Sequence, residues 1–505
     1  MNRTMSIVSA AVGGAAASSA PNQAATASDL VMMDAAALQN SIRTRQVSCV
    51  EVMAAYLDHI ERINPKVNGI VALQDRAGLL AQADERDVQL ARGEAVGPLH
   101  GFPLAIKDLQ PVKGIPTTHG SPIFSDFVPA ADSLVVERMR RAGAIFIGKT
   151  NMPEFGLGSH TYNRVYGATR NAYDQSRSAG GSSGGAAVAL ALRMVPVADG
   201  TDYGGSLRNP AGWSNVFGFR PSIGRVPSDA PDVWLPSIGV TGPMARTVTD
   251  LATLLSVFAG YDARAPLSFD GDGGLFERPL EKDLKVRRIA WGGDFNGHTP
   301  CEPEVLEVCR SALRALESFG CIIDEALPDY APDAVWRAFM QIRAWQQGSR
   351  LLAHYCDPAK RATLKPDAIF EVESGMKLSG YDLASASVVR SEWYHALRRL
   401  FERYDYFIVP TAQMFPFAVE THWPQEIAGQ KMDTYHEWMK ANCLISMSGC
   451  PALAAPAGFG SEGLPIGFQI VAPHRCEASC LGLAYAYEPA TNWTSVRPPP
   501  LLTIA

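Results

Sequence analysis

Between Ala179 and Asn209, seven glycines surround three serines. The run reads Ala179-Gly-Gly-Ser-Ser-Gly-Gly-Ala-Ala and, after an apolar interval, Gly200-Thr-Asp-Tyr-Gly-Gly-Ser-Leu-Arg-Asn. Glycine accepts backbone angles that other residues avoid, and its missing side chain lets main-chain N–H groups approach a ligand. Consecutive N–H groups in such a turn form a concavity that attracts negative charge. A serine at the end of that concavity is placed to attack a carbonyl whose oxygen becomes anionic. On this reading Ser206 is a nucleophile. The amides of Tyr203, Gly204, Gly205 and Ser206 form its oxyanion hole.

The rest of the chain reads as a scaffold for these turns. At 505 residues, 47% hydrophobic and 19% charged, it has the composition of a globular protein with a large core. Ser48, with Glu51 three residues on, forms a capping box ahead of Val52, Tyr56, Ile60 and Ile63 at helical spacing. Residues 35–63 therefore read as two helices, and 77–93 as a third. Phe102 to Ile106 reads as a short buried strand and 133–142 as a helix. A small-residue helix over 186–192 starts beside Ser182, where its N-terminus favours negative charge. A strand is expected over 194–198, further strand pieces in 216–225 and 237–246, and a helix from Thr247 to Gly260. Residues 262–285 read as a surface loop. Val286–Trp291, Pro303–Phe319 and Cys321–Ile323 then give strand, amphipathic helix and strand, the order that marks an α/β sheet. Residues 330–403 read as helical and aromatic. There Trp336, Phe339, Trp345, Tyr381, Trp393 and Tyr394 are candidates for a pocket wall or for the core. Tyr406–Pro410 and the segments from Gly449 and Gly463 complete the sheet, and 480–487 is a last helix. No repeat or linker divides the chain.

The net charge of −6 gives no reason to expect nucleic acid or an acidic membrane as partner. No stretch of about 20 apolar residues is available to span a membrane. The nine cysteines include no CxxC pair, so neither a zinc site nor a disulfide framework is indicated. Cys476 and Cys480 read as neighbouring thiols on a helix. Residues 1–28 read as a disordered tail, which implies a cytoplasmic protein. A weak signal peptide, implying a periplasmic or secreted one, is the alternative. Gly143 to Thr150 matches the phosphate-loop pattern G-x4-G-K-[ST]. Its interior, Ala-Ile-Phe-Ile, is strand-forming and follows a helix, so nucleotide binding is not expected.

The residues alone leave open what would activate a serine. Gly180-Gly-Ser-Ser-Gly184 also satisfies G-x-S-x-G, the nucleophile elbow. That reading makes Ser182 the nucleophile of a Ser-His-Asp esterase of the α/β-hydrolase type and needs an Asp and a His downstream, for which His298, His354, His395, His422, His436 and His474 are available. The polar segment before it, Asp174 to Ala179, lacks the strand an elbow requires. A Gly/Ser-rich loop without chemistry is a third reading. Lys107, at the end of a buried run, either snorkels to solvent or stays inside, where desolvation lowers its proton affinity.

Taken together, Lys107, Gly-Gly-Ser182-Ser-Gly-Gly and Asp202-Tyr-Gly-Gly-Ser206-Leu-Arg resemble the amidase signature family. That family includes fatty acid amide hydrolase, bacterial amidases and the glutamine-hydrolysing subunit of tRNA amidotransferases. The likeness is strongest from about Pro98 to Arg225. It continues through Gly242-Pro-Met-Ala-Arg-Thr-Val-Thr-Asp-Leu and Gly463-Leu-Pro-Ile-Gly-Phe-Gln. It implies an α/β fold, a single large domain over 29–505 with a central mixed twisted β-sheet covered by helices on both faces. Within it lie a catalytic core of about 98–260 and a variable, substrate-shaping region of about 262–440. By the resemblance Ser206 is the nucleophile, Ser182 a bridging serine on a cis peptide, and Lys107 the base. Ser183, Asp202 and Arg208 support them. The implied reaction is hydrolysis of linear amides through an acyl-enzyme, with no metal and no organic cofactor. The implied partner is a small-molecule amide, and a homodimer is left open. Tyr203 stands where the family usually has a smaller residue, and with the aromatic 330–403 segment it points to hydrophobic or aryl amides. A glutaminase subunit is the alternative within the family. A non-catalytic binding protein is disfavoured by the three intact catalytic positions.

Overall fold

The computed structural model describes residues 27–235, 238–270, 274, 276, 280, 284 and 286–503. Residues 1–26, which hold nearly all of the tail or signal-peptide segment, lie outside them, as does part of the 262–285 loop. Ala27–Met32 is already a helix, with Leu30 and Val31 buried.

The frame is an eight-stranded sheet. Its strands lie in the order Ile322–Glu325, Arg288–Trp291, Tyr406–Pro410, Pro465–Val471, Ala452–Phe459, Phe217–Arg220, Val240–Ala245 and Ala198–Asp202. The first three are parallel and the others pair antiparallel. The fold is thus a single α/β domain on a mixed sheet with helices on both faces. Tyr406–Pro410 and Pro465–Val471 are buried along their whole length. This matches near-continuous apolar runs, which need cover on both sides. The strand–helix–strand unit over Arg288–Trp291, Pro303–Ser318 and Ile322–Glu325 forms as its pattern indicates.

A smaller, three-stranded sheet pairs Pro103–Lys107 and Ile70–Val71 with the two sides of Ile145–Thr150. Pro103–Lys107 packs beside the edge strand Ala198–Asp202 of the large sheet. A side chain joins them there: the Asp199 Oδ1 accepts the Lys107 main-chain N–H at 2.9 Å. Lys107 therefore sits at the seam between the sheets. Within Gly143–Thr150, residues Ile145–Thr150 are strand and Gly143 is in the turn before it, so the segment is not a phosphate loop. Its Lys149 amine is buried and donates to the Gln110 carbonyl and to Thr117 Oγ1.

The strand expected over 194–198 spans Ala198–Asp202 instead. Arg193, at φ 61°, turns the chain after the Gly184–Ala191 helix. The apolar residues that follow are buried as a connection. Apolar character alone cannot separate a buried connection from a buried strand. The shift has a consequence, because the strand now delivers Asp202 and Tyr203 directly into the second serine turn. Among the described residues no helix is long and apolar enough to cross a membrane.

The capping box forms as read. Ser48 Oγ accepts the Glu51 N–H at 3.1 Å and Glu51 Oε2 accepts the Ser48 N–H at 2.8 Å, starting the helix Cys49–Val67. Ser48→Ala is expected to cost ~1 kcal/mol, measured as a lowered urea midpoint. An unchanged midpoint would mean that packing alone sets the start of this helix.

Candidate active site

The site is built around Lys107. Its side chain is 0% exposed. The amine lies 2.8 Å from each of three hydroxyls, donating to Ser182 Oγ, Ser183 Oγ and Thr201 Oγ1. Among the described residues no carboxylate lies within ion-pair distance of it. Burial of the charged form dominates, and lowers the Lys107 pKa from 10.5 to about 7 against the opposing pull of Asp199 and Asp202. Three hydroxyls satisfy either charge state. An ammonium donates three times, whereas a neutral amine donates twice and accepts once, since each hydroxyl is both donor and acceptor.

The first serine turn is held by its neighbours. The Gly181–Ser182 peptide bond is cis. Gly180 has φ 73°, and a Cβ there would lie 2.6 Å from Asn209 Oδ1, so only glycine fits. Thr161 Oγ1 donates to the Gly180 carbonyl at 2.7 Å, and the Gly181 N–H donates to Asn209 Oδ1 at 3.2 Å. Ser183 precedes the Gly184–Ala191 helix but makes no capping bond with its side chain. Its hydroxyl is engaged with Lys107, and accepts the Thr201 N–H at 3.3 Å. The Ser183 N–H donates to the Ser206 carbonyl at 3.1 Å, which ties the two serine turns together.

The second turn is organised by Asp202. Arg208 reaches it with two bonds of 2.9 Å, and Arg220 adds one of 3.0 Å to the same carboxylate and one of 2.7 Å to its main-chain carbonyl. All three side chains are fully buried. Burial pushes the Asp202 carboxyl up, but the two guanidiniums outweigh it and hold the group well below the ordinary carboxylate range. Arg208 also donates to Ser446 Oγ, Gln469 Oε1 and the Asn442 carbonyl, so the turn is anchored to the large sheet and to the Lys440–Ser448 helix. Gly205 takes φ 110°, and a Cβ there would meet Asn442 at 2.5 Å. Its N–H already donates to Asp202 Oδ1 at 2.9 Å. Of the four amides read as an oxyanion hole, this one is committed to the turn.

Tyr203 leaves the turn towards the Pro332–Cys356 helix. Its hydroxyl donates to Gln346 Oε1 at 2.6 Å. Its ring lies 6.0 Å from that of Phe339, which stacks on Trp336 at 5.6 Å. The Arg343 guanidinium sits 5.4 Å from its centroid. The aromatic segment is therefore divided. Trp336 and Phe339 gather at Tyr203, Trp393 is buried and donates to the Leu444 carbonyl, and Tyr381 is exposed.

The histidines an elbow would need are engaged elsewhere. His298 pairs with Asp333 and His436 with buried Glu371. His354 stacks on Phe155, His422 on Tyr162, and His395 and His474 lie against Tyr394. The hydroxyl of Ser182 is held by the lysine.

The Amidase family model matches residues 51–481. The chain belongs to the amidase family. It is 33% identical over 485 residues to an acylamidase of Rhodococcus erythropolis, covering 95% of this chain and 100% of that one. It is 34% identical over 491 residues to a glutamyl-tRNA(Gln) amidotransferase subunit of Thermosynechococcus vestitus, covering 91% of this chain and 98% of that one. A crystal structure of a bacterial aryl acylamidase of the amidase signature family superposes with a TM-score of 0.86, at 27% identity over 94% of this chain and 98% of that one. The protein is an amidase, acting on linear amide C–N bonds.

Sequence reasoning missed three residues of the candidate site. Thr201 and Asp199 adjoin the Gly-Ser motif, but only a strand placed over Ala198–Asp202 turns them towards Lys107. Arg220 is remote in sequence from Asp202, and only the sheet brings it close. A buried carboxylate serving two guanidiniums is costly to alter. Asp202→Asn is expected to lose ~3–5 kcal/mol of stability, read from urea denaturation. A loss of about 1 kcal/mol or less, as for an exposed pair, would contradict the anchoring role.

Proposed function

We propose that this amidase cleaves its substrate through a Ser206–Ser182–Lys107 relay. The observation that carries the reading is the Lys107 amine, buried, 2.8 Å from Ser182 Oγ, with its pKa lowered to about 7. A serine hydroxyl is a poor nucleophile until a partner takes its proton. Ser206 Oγ attacks the amide carbon and passes its proton to Ser182 Oγ, while Ser182 passes its own to the Lys107 lone pair. The oxyanion is received by the N–H groups of Tyr203, Gly204 and Ser206, with the Gly205 N–H keeping the turn in shape. As the C–N bond breaks, the proton returns from Lys107 through Ser182 to the leaving nitrogen. Water then attacks the acyl-enzyme by the same route.

The substrate class proposed is hydrophobic or aryl amides. Tyr203, Phe339 and Trp336 form an aromatic wall beside the second serine turn. The likeness to an acylamidase and to an aryl acylamidase points the same way. An activity panel of aryl, alkyl and polar amides should favour the aryl ones. Preference for glutamine or malonamide would refute this choice and favour service as a glutaminase subunit. Tyr203→Ala should lower kcat/KM for an aryl amide about 10-fold relative to a short alkyl amide, within the ~1–3 kcal/mol that pocket contacts supply.

Fluorophosphonate labelling followed by peptide mapping should find the probe on Ser206 and nothing on Ser206→Ala. Labelling of Ser182 in the wild type would favour the elbow instead. Lys107 accepts a proton only when neutral, so kcat/KM should fall as pH falls through about 7 and level off above it. A profile flat from pH 5 to 9, about two units either side of that value, would remove Lys107 from the proton path.

A further inference from the structure

One face of the Pro332–Cys356 helix runs along the site. Phe339, Arg343, Gln346, Arg350 and His354 recur at helical spacing and so share that face. At one end it meets the second serine turn. The Phe339 ring lies 6.0 Å from that of Tyr203, the Arg343 guanidinium 5.4 Å from the same ring, and Gln346 Oε1 accepts the Tyr203 hydroxyl at 2.6 Å. At the other end it approaches the first serine turn. His354 stacks on Phe155 at 6.2 Å, and Phe124 stands edge-on to it at 5.4 Å. Phe155 precedes Gly156, where a Cβ would lie 3.5 Å from Ser182 Oγ. Arg350 sits about one helical turn from Gln346 and one from His354, and is exposed. Its charge is felt at Tyr203 on one side and, on the other, at His119, which packs on Phe124.

We propose that Arg350 is a specificity-determining residue that receives a carboxylate borne by the amide substrate, while the substrate's ring lies against Tyr203. The inference rests on the proposed aromatic pocket wall at Tyr203. Arg343, on the same helix face, already commits its guanidinium to Glu371 Oε1 at 2.7 Å and to the Tyr435 hydroxyl at 3.2 Å, and Glu371 balances its charge. Arg350 has no such partner. Among the described residues it makes one long bond, 3.4 Å to Gln347 Oε1, and no ion pair. An exposed arginine ordinarily serves only solvent. This one is placed differently, because its neighbours on either side along the helix face contact side chains that border the two serine turns. A planar guanidinium offers paired N–H donors that match the two oxygens of a carboxylate, giving orientation as well as binding. A neutral acceptor on the substrate would gain roughly half as much from the same donors.

The test compares kcat/KM within two matched pairs of substrates, for wild type and Arg350→Met. The first pair is the 4-nitroanilides of succinic and butyric acid, which differ by a carboxylate on the acyl side. The second is 4-nitroacetanilide with and without a carboxylate beside its nitro group, on the amine side. Methionine keeps an apolar stem and removes the charge. The ratio of kcat/KM for the charged member to that for the neutral member should fall about 10-fold or more in at least one pair, chiefly through KM. The pair that responds says on which side of the scissile bond the carboxylate lies. A ratio that stays in place in both pairs overturns the proposal, even if all four substrates slow together, as a structural role would have it. Arg350→Gln serves if the methionine variant does not fold. If neither variant folds, the arginine is structural and the proposal falls. Failure of the aromatic wall itself looks different: Tyr203→Ala would then leave the preference between neutral aryl and alkyl amides in place, whatever the charged pairs do.

Discussion

An amine taken out of water and given hydroxyls for neighbours is the constraint on which the rest of this structure depends. A lysine beside a carboxylate would stay charged at any ordinary pH. Lys107 is instead surrounded at 2.8 Å by Ser182, Ser183 and Thr201. Those partners satisfy its hydrogen bonds without fixing its charge. Burial then tips the balance towards the neutral form near pH 7. The same dry setting makes the surroundings exacting, since a buried polar group without a partner is costly. This accounts for the density of polar side chains at the seam between the two sheets.

The second serine turn, which carries the proposed nucleophile, meets a second demand, which is rigidity. Donors aimed at a developing oxyanion are effective when they need no reorganisation. Asp202 supplies that by tying Arg208, Arg220 and the N–H groups of Gly205 and Leu207 to one carboxylate. Arg208 extends the tie to Ser446 and Gln469. The Lys440–Ser448 helix and the strand Pro465–Val471, far along the chain, thus brace a turn that begins at Tyr203. The substrate preference proposed for the enzyme is assigned to a separate part of the site, where Tyr203 meets the aromatic rings of the Pro332–Cys356 helix.

Much of this is legible in the sequence, and the parts that are not share a cause. Glycines at Gly180 and Gly205 announce turns because no other residue fits there. The capping box at Ser48 and Glu51 is local, and so is the strand–helix–strand run after Arg288. The environment of Lys107 is not local: snorkelling and burial both stay open until the motifs are taken together. Hydrophobicity places the strand Ala198–Asp202 four residues early, because the apolar residues before it are buried as a connection. That shift hides Thr201 and Asp199 from view. Arg220 and the division of the aromatic segment depend on packing between distant segments, which no short window of sequence records.

The most direct test of the central claim is to watch the amine titrate. With lysines carrying 13C at the ε position, the NMR signal lost in Lys107→Met identifies Lys107. The account predicts that this signal changes between its charged and neutral positions near pH 7. A transition near 10.4, the value of an exposed lysine, would show that the amine is charged when substrate arrives, and would contradict the account.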